Sequence, residues 1–279
     1  MPATETLAAC EVLVDGLDHP EGVCWDPRSG ALWAGGEAGQ LYRVDLDARM
    51  WQEVARAPGF VLGLAVDGRG RLAVCCPGAG ALCALADGGV RTLHDGLTQP
   101  NHGAFAPDGA FYFSDSGRWG NGGGRVYRLS PDGELDLFSD RLADFPNGCA
   151  VTPDGRHLWT VCSYAPVVGC FDLATGELEE VTRLDGTVPD GIAFTDDGRV
   201  IVSCYRPDRI VLLDADGRAE TIAEDPQGTL LAAPTNVVFV GERRDRLVSA
   251  NLGRWHLTLL DVGLRGAPLH HPERWAVDA

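Results

Sequence analysis

The chain has 279 residues, a hydrophobic fraction of 45% and a formal net charge of −17 at pH 7. This charge excludes functions that need a basic face, namely nucleic-acid binding and attachment to an anionic membrane surface. The hydrophobic fraction is sufficient for a sizeable core, and no apolar run reaches the roughly 18 residues of a membrane helix. The sequence therefore predicts a soluble protein whose negative potential can gather a cation.

The nine cysteines fall mostly within apolar runs such as LAVCCPG and LWTVCSY. Their odd number and the lack of zinc-type spacing favour buried thiols in a reducing compartment over a disulfide framework. The first residues, MPATETLAAC, lack the basic and apolar segments of a signal peptide. We therefore expect a cytoplasmic protein.

One pattern recurs along the chain: a Pro/Gly start, an apolar strand, a turn that often contains Asp-Gly, a second strand, a short loop and a third strand. Its copies begin at HPEGVCWDP, FVLGLAVDG, QPNHGAFAPDG, FPNGCAVTPDG, VPDGIAFTDDG and APTNVVFV. The residues aligned across the copies are 40–46 positions apart and read Glu21, Leu62, His102, Asn147, Asp190 and Asn236. That period suits four short strands, which is one blade of a propeller. The sequence thus predicts an all-β, six-bladed β-propeller.

The segment EVLVDGL precedes the first copy, much as RTLHDGL precedes the third. Such segments are expected to be the outer strand of the blade before them. Residues 11–14 have no blade before them, so we expect them to complete the sixth blade and to close the ring. Residues 1–279 are accordingly interpreted as a single propeller domain.

Equivalent positions of the blades form a ring around the propeller axis, and four aligned residues carry oxygen ligands: Glu21, Asn147, Asp190 and Asn236. Asn101, one position before His102, can add another. Two carboxylates with several amide oxygens suit a hard divalent cation, of which Ca²⁺ is the first choice and Zn²⁺, Mn²⁺ and Mg²⁺ are alternatives. Each residue alone also fits an ordinary turn, because Asn-Gly and Asp-Gly are common turn pairs.

The segments HPEGVCWDP, PNHGAFAPDG, FPNGCAVTPDGRHLW, VPDGIAF and PTNVVF resemble the senescence marker protein/gluconolactonase family, which includes regucalcin. The resemblance extends from about Glu11 to Val262. It implies a six-bladed propeller with a central divalent ion held by Glu21, Asn147 and Asp190. It places Asn101 close to that ion, sometimes through water, and matches Asn236 to an asparagine of the wider superfamily.

The family resemblance also implies hydrolysis of a lactone, with Asp190 as the general base as well as a candidate metal ligand. His102 is the second candidate base, or else a turn histidine that shapes the pocket. The chain departs from the family where sugar lactonases often carry Arg-x-Asn-Asp, because it reads Gln99-Pro100-Asn101-His102. This departure puts a sugar-lactone substrate in doubt more than it does the metal.

The loops that join the second and third strands of each blade should lie at the same mouth as the aligned residues. They supply the other candidate substrate-binding residues, which join Gln99 and His102: Trp119, Tyr164, Tyr205 and Arg206. Trp119 can equally be a loop residue packed on a neighbour, and Arg206 can equally pair with a surface acid.

Three functions follow from this interpretation. The first is a metal-dependent hydrolase of lactones or similar cyclic esters. The second keeps the metal and the fold but makes the reaction that of a lyase, cyclase or isomerase in a biosynthetic pathway. The third is a non-catalytic binding protein with a structural ion, since propellers often serve as platforms. In the first two, the partner is a small-molecule substrate.

Overall fold

The strands form six four-stranded sheets, which we call blades 1 to 6 in chain order. The computed structural model describes residues 7–279, and its strands are numbered β1–β24 along the chain. Each sheet is antiparallel, and the first strands of neighbouring blades contact one another around the ring. The prediction of a six-bladed β-propeller is confirmed.

The strand bounds follow the repeat. Blade 1 contains Val23–Asp26, Ala31–Gly35, Gln40–Asp45 and Met50–Arg56 (β2–β5). Blade 2 contains Leu64–Val66, Leu72–Cys76, Ala81–Ala86 and Gly89–His94 (β6–β9). Blade 3 contains Pro100–Phe105, Phe111–Asp115, Arg125–Leu129 and Leu135–Ser139 (β10–β13). Blade 4 contains Pro146–Val151, His157–Cys162, Val167–Asp172 and Leu178–Arg183 (β14–β17). Blade 5 contains Val188–Phe194, Val200–Arg206, Arg209–Leu213 and Ala219–Glu224 (β18–β21). Blade 6 contains Pro234–Val240, Arg246–Asn251 and His256–Leu260 (β22–β24) together with Glu11–Asp15 (β1).

The N-terminal strand closes the ring. Strand β1 pairs antiparallel with β24, and the register joins Glu11 to Leu259 and Asp15 to His256. Blade 6 therefore gains its fourth strand from the other end of the chain, as the sequence predicted for residues 11–14. Leu13 and Val14 of this strand are buried in the core shared with blade 1, so ring closure also buries apolar surface.

The turns and the core follow from the sequence pattern. Gly109 and Gly155 have φ values of +89° and +72°, which explains why the first hairpins of blades 3 and 4 use Asp-Gly. Seven of the nine cysteines are buried among apolar side chains, as expected: Cys24, Cys75, Cys76, Cys83, Cys149, Cys162 and Cys204. In the part of the chain described above, no helix has the length and apolar character needed to cross a bilayer.

Residues 263–279 form a C-terminal strap across the base of the propeller, the mouth at which the first strands end. The Ala267 N–H donates to the Phe194 carbonyl of blade 5 over 2.9 Å. The rings of His270 and His271 then hydrogen-bond carbonyls at the ends of the first strands of blades 4 and 2, at 2.8 and 2.9 Å. A cavity of about 450 Å³ lies between the first strands and is lined at its base by the strap.

Trp275 anchors this strap between blades 2 and 3. Its side chain is fully buried, its ring centroid lies 5.1 Å from that of Phe105, and its indole N–H donates to the Asp67 carboxylate over 2.8 Å. The family resemblance extends only to about Val262, before this segment, and no sequence pattern predicted the strap. The strap connects blades that would otherwise meet only through their neighbours.

Trp275→Ala should lower the free energy of unfolding by about 3–5 kcal/mol, because it removes a fully buried indole. Trp255→Ala is the matched control, since that ring is 54% exposed, and should change stability by less than about 0.5 kcal/mol. Urea denaturation of both variants measures the difference. Equal losses in the two variants would contradict an anchoring role for Trp275.

Candidate metal centre

The aligned residues of the repeat meet around the axis because glycines let the first strands approach closely. A Cβ on Gly22 would lie only 1.9 Å from the Leu62 carbonyl oxygen of the next blade. A Cβ on Gly148 would lie 2.3 Å from the Asp190 carbonyl oxygen. No side chain fits these contacts, so the glycine that follows the aligned residue is required for the blades to meet.

Blade 6 completes this ring by direct hydrogen bonds to blade 1. The backbone N–H of Asn236 donates to the Glu21 carbonyl over 3.4 Å, and the Thr235 hydroxyl donates to the same oxygen over 2.8 Å. The structure therefore brings all five candidate ligands to one mouth of the channel, each at most 6% exposed: Glu21, Asn101, Asn147, Asp190 and Asn236. We call this group the axial cup.

Two serines fix the orientation of the amide side chains in the axial cup. The Ser163 hydroxyl donates its proton to the Pro189 carbonyl over 2.6 Å, so it can only accept from Asn147 Nδ2, which lies 3.0 Å away. The amide nitrogen thus faces the serine, and Oδ1 is left for the cup. Ser116 does the same for Asn101, whose Nδ2 lies 2.9 Å from the Ser116 hydroxyl.

Three oxygens of the axial cup are buried without a hydrogen-bond partner: Asn101 Oδ1, Asn147 Oδ1 and Asp190 Oδ1. A buried acceptor left unsatisfied costs about 1–3 kcal/mol, and three together need a common explanation. Two amide oxygens and carboxylate oxygens are the donor set of a hard divalent cation. The residues present fit such an ion.

The two carboxylates of the cup reinforce this conclusion. Burial raises the pKa of Glu21 well above its usual range, and the nearby charge of Asp190 raises it further. Burial likewise raises the pKa of Asp190, which the Asn147 amide opposes through a hydrogen bond. Two buried carboxylates are therefore costly to ionise together unless a cation lies between them.

Asn236 faces Glu21 with its amide nitrogen. Its Nδ2 donates to Glu21 Oε2 over 3.2 Å and to the Glu21 carbonyl over 3.1 Å. This bond holds the Glu21 carboxylate in place and opposes the rise of its pKa. The contacts made by Asn236 are thus those of a residue that orients a ligand.

His102 lies at the top of the central cavity and has a structural purpose that the sequence did not indicate. Its Nδ1 accepts a hydrogen bond over 3.1 Å from the backbone N–H of Cys149, which lies on the first strand of the next blade. Burial lowers the pKa of His102 to about 4, so the ring is neutral and carries its proton on Nε2. In this state the ring offers Nε2–H as a hydrogen-bond donor, and the alternative of His102 as a general base stays a prediction that this geometry does not favour.

The predicted substrate-binding residues at the rim divide into two groups. Trp119 and Tyr164 are 51% and 50% exposed at the mouth, with ring centroids 5.3 Å apart. Arg206, in contrast, donates to the Asp208 carboxylate over 2.7 Å, and its guanidinium covers the Tyr205 ring at 4.7 Å. The prediction that Arg206 and Tyr205 bind substrate is therefore not supported, because they are engaged with each other and with Asp208.

The remaining rim positions hold the loops in shape. The backbone N–H of Gln99 donates to the Asp115 carboxylate over 2.6 Å, and the Gln99 side chain is half-buried beside the mouth. His19, expected to be a loop residue, lies within 3.1–3.2 Å of Asp18 and Glu37 oxygens. These three form a second group with metal-type ligand atoms at the rim, of which Glu37 is exposed.

Sequence reasoning missed Ser163 and Phe145. Ser116 and Ser163 come directly after the second strands of blades 3 and 4, and follow Asn101 and Asn147 by 15 and 16 residues. A comparison of the second strands in the same alignment could have identified this pair. Phe145 precedes Asn147 by two positions and carries no such signal.

The fold and the axial cup together define a class of protein: a six-bladed β-propeller with buried carboxylate and amide oxygens at one mouth of its channel. A model of the SMP-30/Gluconolactonase/LRE-like region matches residues 19–250. The chain belongs to this family, which confirms the resemblance seen in the sequence.

Individual relatives are distant. Regucalcin of Oryctolagus cuniculus is 28% identical over 100 residues, so the match spans 33% of this chain and only 33% of that protein. A calcium-binding regucalcin from Agrobacterium tumefaciens has a similar structure, with a TM-score of 0.78, 20% identity and coverage of 94% and 95% of the two chains. A gluconolactonase from Xanthomonas campestris is also similar, with a TM-score of 0.77, 24% identity and coverage of 91% of this chain and 89% of that chain. At these identities the solved structures support the shared fold.

Ser163→Ala should lower the affinity for Ca²⁺ by about 10- to 100-fold, because residues that orient a ligand have effects of this size. Ser203→Ala is the control: Ser203 accepts from the Gly191 N–H over 2.9 Å and bridges to Thr235 without contacting an amide side chain. It should lose stability and keep its affinity. Calorimetric titration of the two chelator-treated variants with Ca²⁺ measures their affinities. An unchanged affinity in Ser163→Ala would contradict the orienting role.

Glu21→Gln should raise the thermal midpoint of the protein in chelator, because it removes one of two buried carboxylates. A gain of about 1 kcal/mol corresponds to roughly 2–4 °C. The same variant should lose the stabilisation that Ca²⁺ gives to the unsubstituted protein. Glu179→Gln, an exposed change on β17, should alter neither value in scanning calorimetry. A lower midpoint with a retained Ca²⁺ response would show that the carboxylates are not a cation site.

Proposed function

We propose that this protein is a divalent-cation-dependent hydrolase that opens a lactone or a similar cyclic ester. The observation that carries the proposal is the axial cup, where two unpartnered amide oxygens and two carboxylates converge at one mouth. The gluconolactonase named among the similar structures supports a lactone as the substrate class. The chemistry of the cup supports metal dependence.

Glu21, Asn147 and Asp190 would hold the cation, with Asn101 beside them and Asn236 orienting Glu21. Ca²⁺ is the first choice because all the available ligand atoms are oxygens, and the similar regucalcin structure is described as calcium-binding. Zn²⁺, Mn²⁺ and Mg²⁺ remain alternatives. When bound, such a cation supplies Lewis acidity to the carbonyl oxygen of a lactone.

Asp190 is the proposed general base. Its burial raises its pKa, so its carboxylate accepts a proton from water more readily than an exposed aspartate does. Its Oδ1 has no hydrogen-bond partner and is free to meet a ligand or a water molecule. Ligation through either oxygen would lower the pKa of this carboxylate, so the ligand role opposes the effect of burial on its basicity.

His102 is proposed to support this site as a donor. Its Nδ1 is committed to the Cys149 N–H, which leaves Nε2–H as the only polar hydrogen of the ring. From its place between the cup and the central cavity, this group can donate to a water molecule below the lactone. We further propose a small molecule as the partner, because the charge of −17 disfavours nucleic acid and anionic membranes. The cytoplasmic location remains a prediction.

The test is proton release from five- and six-membered lactones by chelator-treated protein, before and after addition of Ca²⁺, Mn²⁺, Mg²⁺ or Zn²⁺. Turnover should appear only with the cation. Asp190→Asn should lower kcat by about 10²- to 10⁴-fold, the usual contribution of a general base. Asp185→Asn is the control, because that side chain is 80% exposed, and it should keep full activity.

Full turnover in metal-free protein would contradict the proposed mechanism. A bound cation without turnover of any lactone would contradict the hydrolase and favour a binding protein with a structural ion. Metal content is measured for every variant, which separates loss of the base from loss of the cation.

A further inference from the structure

Three aromatic side chains form a continuous surface at the mouth of the axial cup. The Trp119 ring lies edge-on to Phe145 at 5.0 Å and to Tyr164 at 5.3 Å between centroids. Trp119 and Tyr164 are half exposed, and adjacent exposed rings form the kind of contiguous apolar patch that marks a binding surface. We call these three residues the aromatic rim.

The loop that carries Trp119 is held in a defined shape. Within it, the Arg118 N–H donates to the Gly122 carbonyl over 3.2 Å, and the Gly124 N–H donates to Ala143 of the next blade over 3.0 Å. A Cβ on Gly120 would lie 3.2 Å from the Tyr164 ring, so this glycine lets Tyr164 pack directly on the loop. The aromatic rim is therefore a preorganised surface, and its cost of ordering on binding is small.

The aromatic rim is continuous with the two amide ligands of the cup. Tyr164 follows Ser163, which holds the Asn147 amide, and Phe145 precedes Asn147 by two residues. Trp119 lies three residues after Ser116, which holds the Asn101 amide. A molecule bound above Asn101 and Asn147 can therefore reach these rings along blades 3 and 4.

Two carboxylates around the same mouth, those of Asp115 and Asp18, are already engaged within the fold. The Asp115 carboxylate accepts from the backbone N–H groups of Thr98 and Gln99. Asp18 accepts from Ala38 N–H and from the Gln40 amide. A polyhydroxylated ligand needs such groups free to hydrogen-bond its hydroxyls. An aryl or apolar group does not need such hydrogen-bond partners, and its binding is favoured by burial of the exposed rings.

We propose that the substrate is a lactone carrying an aryl or similarly apolar substituent, which rests on the aromatic rim while the lactone ring lies over the axial cup. This inference rests on the proposed hydrolase function for its reaction, but the recognition surface is independent of it. Trp119 and Tyr164 are then residues that determine specificity, and an aldonolactone is a poor substrate.

The first experiment compares two γ-lactones that share a ring, one with a phenyl substituent and one polyhydroxylated. The phenyl lactone should have a kcat/KM at least about tenfold higher, which corresponds to 1.4 kcal/mol. Trp119→Ala should remove most of that advantage by lowering kcat/KM for the phenyl lactone about tenfold, and should change the polyhydroxylated lactone less than twofold. Trp119→Phe should restore part of it.

Arg118→Ala is the matched control on the same loop, because Arg118 is also exposed but carries no ring. It should leave the phenyl lactone unaffected. Preference for the polyhydroxylated lactone, equal losses for both substrates in Trp119→Ala, or a larger loss in Arg118→Ala than in Trp119→Ala would each overturn the proposal.

A binding measurement separates this proposal from the hydrolase. The phenyl-substituted γ-lactam has the same shape but resists hydrolysis, and its affinity is measured by calorimetry with the cation-loaded protein. It should bind, and Trp119→Ala and Tyr164→Ala should each weaken it about tenfold. If no lactone is hydrolysed but the lactam behaves in this way, the hydrolase is wrong and the aryl site stands. If lactones are hydrolysed but both variants bind the lactam as tightly as the unsubstituted protein does, the aryl site is wrong.

Discussion

The close approach of six strands at the propeller axis is the constraint on which the site depends. Gly22 and Gly148 show it most directly, since a single methyl group on either would overlap the backbone of the next blade. Only glycine permits this contact at no steric cost. The residue before each glycine is thereby brought toward the axis, and side chains such as Glu21 and Asp190, 169 positions apart in the sequence, become neighbours whose charges interact. The fold thus brings the functional groups of the aligned residues close together at the axis.

That concentration has an electrostatic cost, which the ordered amide dipoles increase. Ser163 and Ser116 hold the nitrogens of Asn147 and Asn101, so the amide oxygens add negative potential to a space that already contains two carboxylates. The Asn147 amide offsets part of this cost through its hydrogen bond to Asp190. The unpartnered oxygens nevertheless oppose the stability of the cation-free state, as functional sites commonly do. A divalent cation would satisfy both the oxygens and the carboxylates.

The sequence was sufficient for the architecture because a propeller repeats local information. The period of 40–46 residues, the Asp-Gly turns and the segment before Glu21 predicted six blades and their closure by β1, and the aligned row predicted which residues meet at the mouth. What could not be predicted depends on contacts between blades. The bond from Cys149 to His102 joins neighbouring inner strands and fixes a tautomer. The strap anchored by Trp275 lies outside the repeat, and the pairing of Arg206 with Asp208 competes with any substrate.

Anomalous scattering from crystals grown with Mn²⁺, together with a matched Ca²⁺ structure, tests whether the axial cup binds a divalent cation. We expect one strong peak on the axis, at about 2.0–2.6 Å from oxygens of Glu21, Asn147 and Asp190, with Asn101 in direct or water-mediated contact. No peak at the cup, or a peak only at the rim group of Asp18, His19 and Glu37, would contradict it.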